Sequence, residues 1–218
     1  MGQYVVLDLE MCWVSKANRR KDYYHANEII EIGAVLLNED FDIVDEYKSY
    51  VMPQYGKLTS FITSLTGITI ADIKDAPRFK DAIDSFTSWI PKDAILVTWS
   101  DNDTNQLRYE NSMKGIPNAL IEKICDNAID CQKLFGEKIH ISRPYKLEEA
   151  LIISDVLQEG RLHDGLDDAK NTAVLFKKLM QNKELEFHPM YMDAQKEEIA
   201  HLSSTLGELL SGLNIQVA

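Results

Sequence analysis

The chain has 218 residues, 45% of them hydrophobic, 27% charged, and a formal net charge of −12. That length and apolar content support one well-buried core with an appendage, and no apolar stretch is long enough to suggest a membrane span. The acidic balance argues against tight, non-specific gripping of long duplexes, because phosphate contacts normally come from Lys and Arg.

The start shows no charged-then-apolar leader. Met1-Gly2 opens like an acylation site, but Val6 stands where Ser or Thr is expected. Cys12, Cys125 and Cys131 have neither an even count nor a zinc-like spacing, so reduced cytosol is the expected home.

The first element is a strand over Val5-Val6-Leu7-Asp8-Leu9-Glu10. Its continuous apolar run is typical of a buried strand. Side chains at i and i+2 share a face, so Asp8 and Glu10 point together, and clustered carboxylates ending a buried strand need a partner. A polar stretch with Lys16, Arg19, Arg20 and Lys21 follows, either a solvated loop or a basic mouth to that site.

Residues 29–37 and 43–51 read as the next strands, joined by an Asn38-Glu39-Asp40 turn, which suggests an antiparallel meander. A short helix over 59–65 is stopped by Gly67, and a longer one over 78–89 ends before Pro91. Residues 94–99 form a buried strand, capped by the polar cluster Ser100-Asp101-Asn102-Asp103, and a helix runs over 102–113. Asp103 lies one turn before the inward Leu107, and Asp101 is the runner-up, more naturally the cap. A short strand over 128–130 and helices over 146–153 and 166–180 complete a mixed α/β pattern.

The last of these helices opens from His163-Asp164-Gly165-Leu166-Asp167-Asp168-Ala169. Acidic residues in a first turn are ordinary dipole chemistry. A histidine on the preceding loop adds a proton acceptor to a set of hard oxygen donors, the combination used for metal-assisted hydrolysis of a phosphodiester.

Taken in order, Asp8 and Glu10, then Asp103, then His163 with Asp168, resemble the motifs of the DEDDh 3′–5′ exonucleases. Glu28-Ile29-Ile30-Glu31-Ile32-Gly33-Ala34 and Phe61-Ile62-Thr63-Ser64-Leu65-Thr66-Gly67-Ile68 resemble the branch containing the 3′ exonuclease of histone mRNA and KapD-type proteins. The resemblance covers about residues 3–182. It implies a ribonuclease-H-like mixed sheet flanked by helices, over a catalytic domain of residues 1–182.

It also implies two Mg²⁺ or Mn²⁺ ions held by Asp8, Glu10 and Asp168, with Asp103 completing the set and His163 as general base. The terminal nucleotide would be held by the backbone around Leu9 to Met11 and by Leu65, Thr66 and Gly67, with Arg19 and Arg20 at the mouth. Asn102 stands where that branch often carries an aromatic residue against the terminal base.

The implied activity is release of nucleoside 5′-monophosphates from single-stranded 3′ ends, RNA ahead of DNA. A nuclease restricted to short oligonucleotides and an idle nucleotide-binding scaffold are the alternatives. Beyond Asn182, Met192, Ile199, Leu206 and Leu213 recur every seven residues with Leu202 and Leu209 between, while Gln195 breaks the seam. This C-terminal amphipathic helix over residues 183–218 would pack on its own domain, or mediate a homodimer or bind a protein partner.

Overall fold

A computed structural model describes residues 2–19, 23–115, 118–140 and 143–181. The 183–218 heptad segment lies outside the described residues, as do Arg20 and Lys21. Strand β1 (Tyr4–Trp13) pairs antiparallel with β2 (Asn27–Leu37), which pairs antiparallel with β3 (Ile43–Tyr50). On its other side β1 runs parallel to β4 (Ile95–Thr98), and β4 runs parallel to β5 (Ile129–Asp130). The five-stranded order β3-β2-β1-β4-β5 is the ribonuclease-H-like mixed sheet that the motifs imply.

The strictly alternating faces of β1 divide the core. Val5, Leu7 and Leu9 face one layer, packed with Phe79, Ile83 and Phe86 of helix α3 (Phe79–Trp89) and Leu107 of α4 (Asp101–Met113). Ile121 and Ile124 of α5 (Ala119–Asp126) belong to the same layer.

Val6 faces the other layer, with Phe135 of α6 (Cys131–Lys138), Leu151 of α7 (Leu147–Ile153) and Phe176 and Leu179 of α8 (Gly165–Gln181). Asp8 and Glu10 continue the Val6 face, so two carboxylates stand where the apolar layer stops. At about 25 cal/mol per Å² of apolar surface removed from water, these two layers supply the main driving force that holds β1 in place.

A third cluster closes the far end of β1, where Cys12 meets Ile30, Ile62 of α1 (Ser60–Thr66) and Ile73 of α2 (Ile70–Ile73). Glu10 pairs with Glu31 but Met11 with Ile29, so Ile30 is an extra residue, a bulge that turns the strand end toward α1. Thr59 caps α1 by accepting from the Ile62 amide, and Gly67 ends it at φ 78°, a left-handed conformation that favours glycine.

Three helices were not expected from the sequence: α2, α5 and α6. The first is four residues long, and α6 begins on the residue after β5, leaving no turn for a reader to notice. The cap of α4 is also reassigned. Ser100 is the N-cap, accepting from the Asn102 amide, and Asp101 is the exposed first residue of the helix.

Candidate active site

Three elements aim carboxylates at one point. β1 carries Asp8 and Glu10, the first turn of α4 carries the buried Asp103, and the first turn of α8 carries the buried Asp168. Asp103 sits against the strand, where the Leu9 backbone amide offsets part of the burial that raises its carboxyl. Burial against β1 distinguishes Asp103 from the exposed Asp101. Asp101 lies outside, 3.4 Å from Lys133.

α8 reaches the sheet by a close backbone crossing. A Cβ on Gly33 would lie 2.1 Å from the Gly165 carbonyl carbon, and one on Gly165 would lie 3.0 Å from Glu31 Oε1 and 3.3 Å from the Asp8 carbonyl oxygen. Only two glycines let the first turn of α8 sit this low on β2. The positive end of α8 then faces Asp8 and Glu31. Asp164 satisfies that end by accepting from the Leu166 and Asp167 amides at 3.1 and 3.3 Å.

His163 adopts φ 60°, a left-handed conformation uncommon for a residue with a side chain. Its amide donates to Asp168 Oδ2 at 2.9 Å. Its exposed imidazole offers a nitrogen that lies with one oxygen of Glu10 and one of Asp168 inside a mutual spacing of 4.8 Å.

The electrostatics record the crowding. Burial, then Asp103, Asp168, Glu10 and Glu31, push the Asp8 carboxyl well above its ordinary range. Burial followed by Asp168, Glu31 and Asp103 pushes Glu10 up to about 9. Asp103 rises to about 7, chiefly by burial, and Asp168 is raised by burial against its bond from the His163 amide. Carboxylates this close repel when ionised, and a cation among them removes the repulsion.

The donor set fits a hard divalent ion. It is dominated by carboxylate oxygens, and Asp168 Oδ1 is buried without a hydrogen-bond partner among the described residues.

Two participants were not singled out from the sequence. Glu31, on β2 opposite Glu10, is buried at the edge of the carboxylate group, and Lys48 on β3 lies 3.2 Å from Glu31 Oε1 and 2.6 Å from Asp164 Oδ2. Glu31 stands in the segment Glu28 to Ala34, but only β2–β1 pairing shows that its side chain shares the face of Glu10. Lys48 gave no local signal at all, since an alternating charged strand is the ordinary look of an edge.

The expected substrate residues divide. The Leu9 side chain is in the core and Met11 packs against that core, so neither side chain is free for a nucleotide. The Thr66 hydroxyl is already committed, donating to the Ile62 carbonyl at 3.0 Å and accepting from the Ile68 amide at 3.1 Å. Leu65 and Gly67 lie beside the His163 loop through Arg161, whose guanidinium donates to the Leu65 carbonyl at 3.2 Å and abuts Gly67. Asn102 is exposed at the start of α4. Arg19 turns inward and donates to the Val14 carbonyl at 3.2 Å, lining with Lys16 and Trp13 a cleft of about 360 Å³.

Comparison with known proteins places this geometry. Residues 5–176 match the family model described as Exonuclease (RNase_T). ERI1 exoribonuclease 2 of Homo sapiens is 31% identical over 204 residues, an alignment spanning 82% of this chain but 28% of that protein. The probable 3′-5′ exonuclease KapD of Bacillus subtilis is 30% identical over 159 residues, covering 72% of this chain and 75% of its own length.

A solved structure of the 3′-end-specific recognition of a histone mRNA stem-loop by a 3′-exonuclease superposes with a TM-score of 0.68. It shares 26% identity over 85% of this chain and 66% of that one. The chain therefore spans under a third of the human relative it matches, while matching the exonuclease domain over most of its own length. It belongs to the exonuclease family, as a DEDDh-type member with the ribonuclease-H-like fold.

Proposed function

We propose that the protein is a metal-dependent 3′–5′ exonuclease that hydrolyses phosphodiester bonds at single-stranded 3′ ends and releases nucleoside 5′-monophosphates. The observation that carries the reading is the meeting of Asp8, Glu10, Asp103 and Asp168, from three separate elements, with the His163 ring beside them. RNA is the favoured substrate, since the human relative is named an exoribonuclease and the superposed 3′-exonuclease recognises the end of an mRNA stem-loop. Cysteines that are free and buried suit the cytosol proposed for it.

Asp8, Glu10 and Asp168 would hold two Mg²⁺ or Mn²⁺ ions, with Asp103 completing the set directly or through water. When bound, the ions neutralise charge on the reacting phosphate and favour deprotonation of water.

The remaining work belongs to the chain. His163 takes the proton from the attacking water, the role for which an exposed imidazole on the rim of an oxygen-rich site is suited. Asp103 packs against the Leu9 backbone of β1, the strand whose backbone would border the terminal nucleotide. Lys48 keeps Asp164, and with it the start of α8, seated on the sheet.

The test is digestion of matched labelled RNA and DNA strands with Mg²⁺ by the protein and by His163→Ala. Mononucleotide release, faster from RNA, is expected, and the variant should bind metal normally while kcat falls by roughly 10²- to 10⁴-fold. If excess metal restored the variant, His163 would be a ligand instead. Absence of mononucleotides under any divalent ion would leave the idle scaffold as the surviving reading.

A further inference from the structure

The loop that presents His163 is held to α8 at alternate residues. Glu159 exchanges two bonds with the Asn171 side chain, its amide donating at 3.0 Å and its carbonyl accepting at 2.9 Å. The Arg161 amide donates to Asp167 Oδ2 at 2.8 Å, and the His163 amide donates to Asp168 Oδ2 at 2.9 Å. The Arg161 carbonyl also accepts from the Asp164 amide at 3.4 Å. These contacts fix the backbone, yet among the described residues no hydrogen bond holds the His163 ring itself. Its direction is set by the loop, through a strained left-handed φ that persists only where the surroundings over-determine it.

Among the described residues, it is Arg161 that hydrogen-bonds this loop to the opposite wall. Its Nη2 donates to the Ser64 carbonyl at 3.0 Å and the Leu65 carbonyl at 3.2 Å, two of the last-turn carbonyls of α1 that helix geometry leaves without partners. The approach is tight: a Cβ on Gly67 would sit 1.8 Å from Arg161 Nη1. Gly67 thus serves twice, as the left-handed end of α1 and as the space for this guanidinium. One nitrogen meets both carbonyls while the other fills the space over Gly67, a flat shape that the ammonium of Lys only partly replaces.

The geometry points to Arg161 as the positioning residue for His163, which ties the imidazole-bearing loop to the end of α1. It touches neither metal donors nor reacting atoms and acts through the loop backbone. Segment 64–67 and the proton acceptor thereby become one rigid unit, and the base is aligned relative to the same wall that borders the terminal nucleotide. This rests on the reading of His163 as general base.

The experiment is a double-mutant cycle with Arg161→Ala, His163→Ala and the double variant, on a single-stranded RNA with saturating Mg²⁺. Arg161 is exposed, so its truncation removes no core packing. Arg161→Ala should lower kcat by roughly 10- to 100-fold, the loss expected of a catalytic group displaced by an ångström or so. KM and calorimetric metal affinity should stay close to those of the parent. Arg161→Lys should recover part of kcat.

The decisive readout is non-additivity: the double variant should be no slower than His163→Ala. Amide exchange over residues 159–164 should quicken in Arg161→Ala without metal or substrate. Additive losses, or kcat unchanged in Arg161→Ala, would overturn the assignment. His163→Ala at the parent rate would instead remove the general-base reading, which separates the two failures.

Discussion

Glu10 shows what the site asks of single residues. Its carboxyl is pushed up to about 9 by burial and by Asp168, Glu31 and Asp103, so at neutral pH the metal-free protein holds a proton there. A residue kept protonated by its neighbours is destabilised by ionisation and restored by a cation. Asp8→Asn should therefore raise the melting temperature of the metal-free protein, because it deletes one of the mutually repelling charges. It should also abolish turnover and the rise in melting temperature on adding Mg²⁺. Thermal unfolding with and without Mg²⁺ checks both, and a variant that cuts RNA at the parent rate would end the assignment of Asp8 to the metal. Asp101, two residues from Asp103, should tolerate Asn with turnover unchanged, since its carboxylate is exposed beside Lys133.

At the scale of elements, two contacts decide whether the site assembles. The Gly33–Gly165 crossing lets α8 deliver Asp168, and no side chain substitutes for empty space there. A Cβ on Gly33 meets backbone, which cannot rotate away, so Gly33→Ala should cost about 1–3 kcal/mol. For a chain of this size that lowers the melting temperature by roughly 2–4 °C per kcal/mol. Activity should fall far more than stability, because displacement of α8 moves Asp168 and the His163 loop together. Circular dichroism melts beside kcat separate the two losses.

The second contact is a buried ion triad behind β1. Lys114 Nζ lies 2.8 Å from Glu28 and 2.6 Å from Glu110, with all three side chains buried. Glu28 also accepts from the amides of Gln54, Tyr55 and Gly56, and Glu110 from that of Ile29. One cation thus ties the start of β2, the 54–56 turn and α4, the helix that carries Asp103. Lys114→Met should cost about 3–5 kcal/mol, the usual price of stranding buried carboxylates. Adding Glu110→Gln should recover part of it. A melt of Lys114→Met equal to the parent's would show that the triad contributes little.

For the whole molecule, the acidic balance and the raised carboxyls set the pH dependence. Glu10, Asp103, Asp8 and Asp168 all have folded-state pKa values above those of the unfolded chain. The unfolded state therefore loses protons first, and stability present below the ordinary carboxylate range declines as pH rises through about 7 for Asp103 and about 9 for Glu10. The metal-free protein should be more stable to urea at pH 5 than at pH 8.5. Mg²⁺ should stabilise it most at the higher pH, by about 2.7 kcal/mol at one hundred times the dissociation constant. Stability that rose from pH 5 to 8.5 without metal would contradict the clustered carboxylates.

Much of this was legible in the chain because it is local. A period of two puts Asp8 and Glu10 on one face, a first helical turn holds Asp168, and Leu107 turns Asp103 inward, each a consequence of backbone geometry within a few residues. The strands and the longer helices followed from the same short-range rules, and the order of the motifs supplied the family resemblance. Tertiary structure alone decided the rest. Glu31 joins the site through β1–β2 pairing, Lys48 through a neighbouring strand, and Gly33 with Gly165 through a crossing of segments more than a hundred residues apart.

Arg161 reads as one more loop cation until α1 is seen beside it. The choice of Ser100 over Asp101 as the cap turned on a hydrogen bond between near-equivalent neighbours. The division is physical: propensity, pattern and capping act along the chain, whereas charge coupling, close approach and the satisfaction of orphan carbonyls depend on which distant segments share a space.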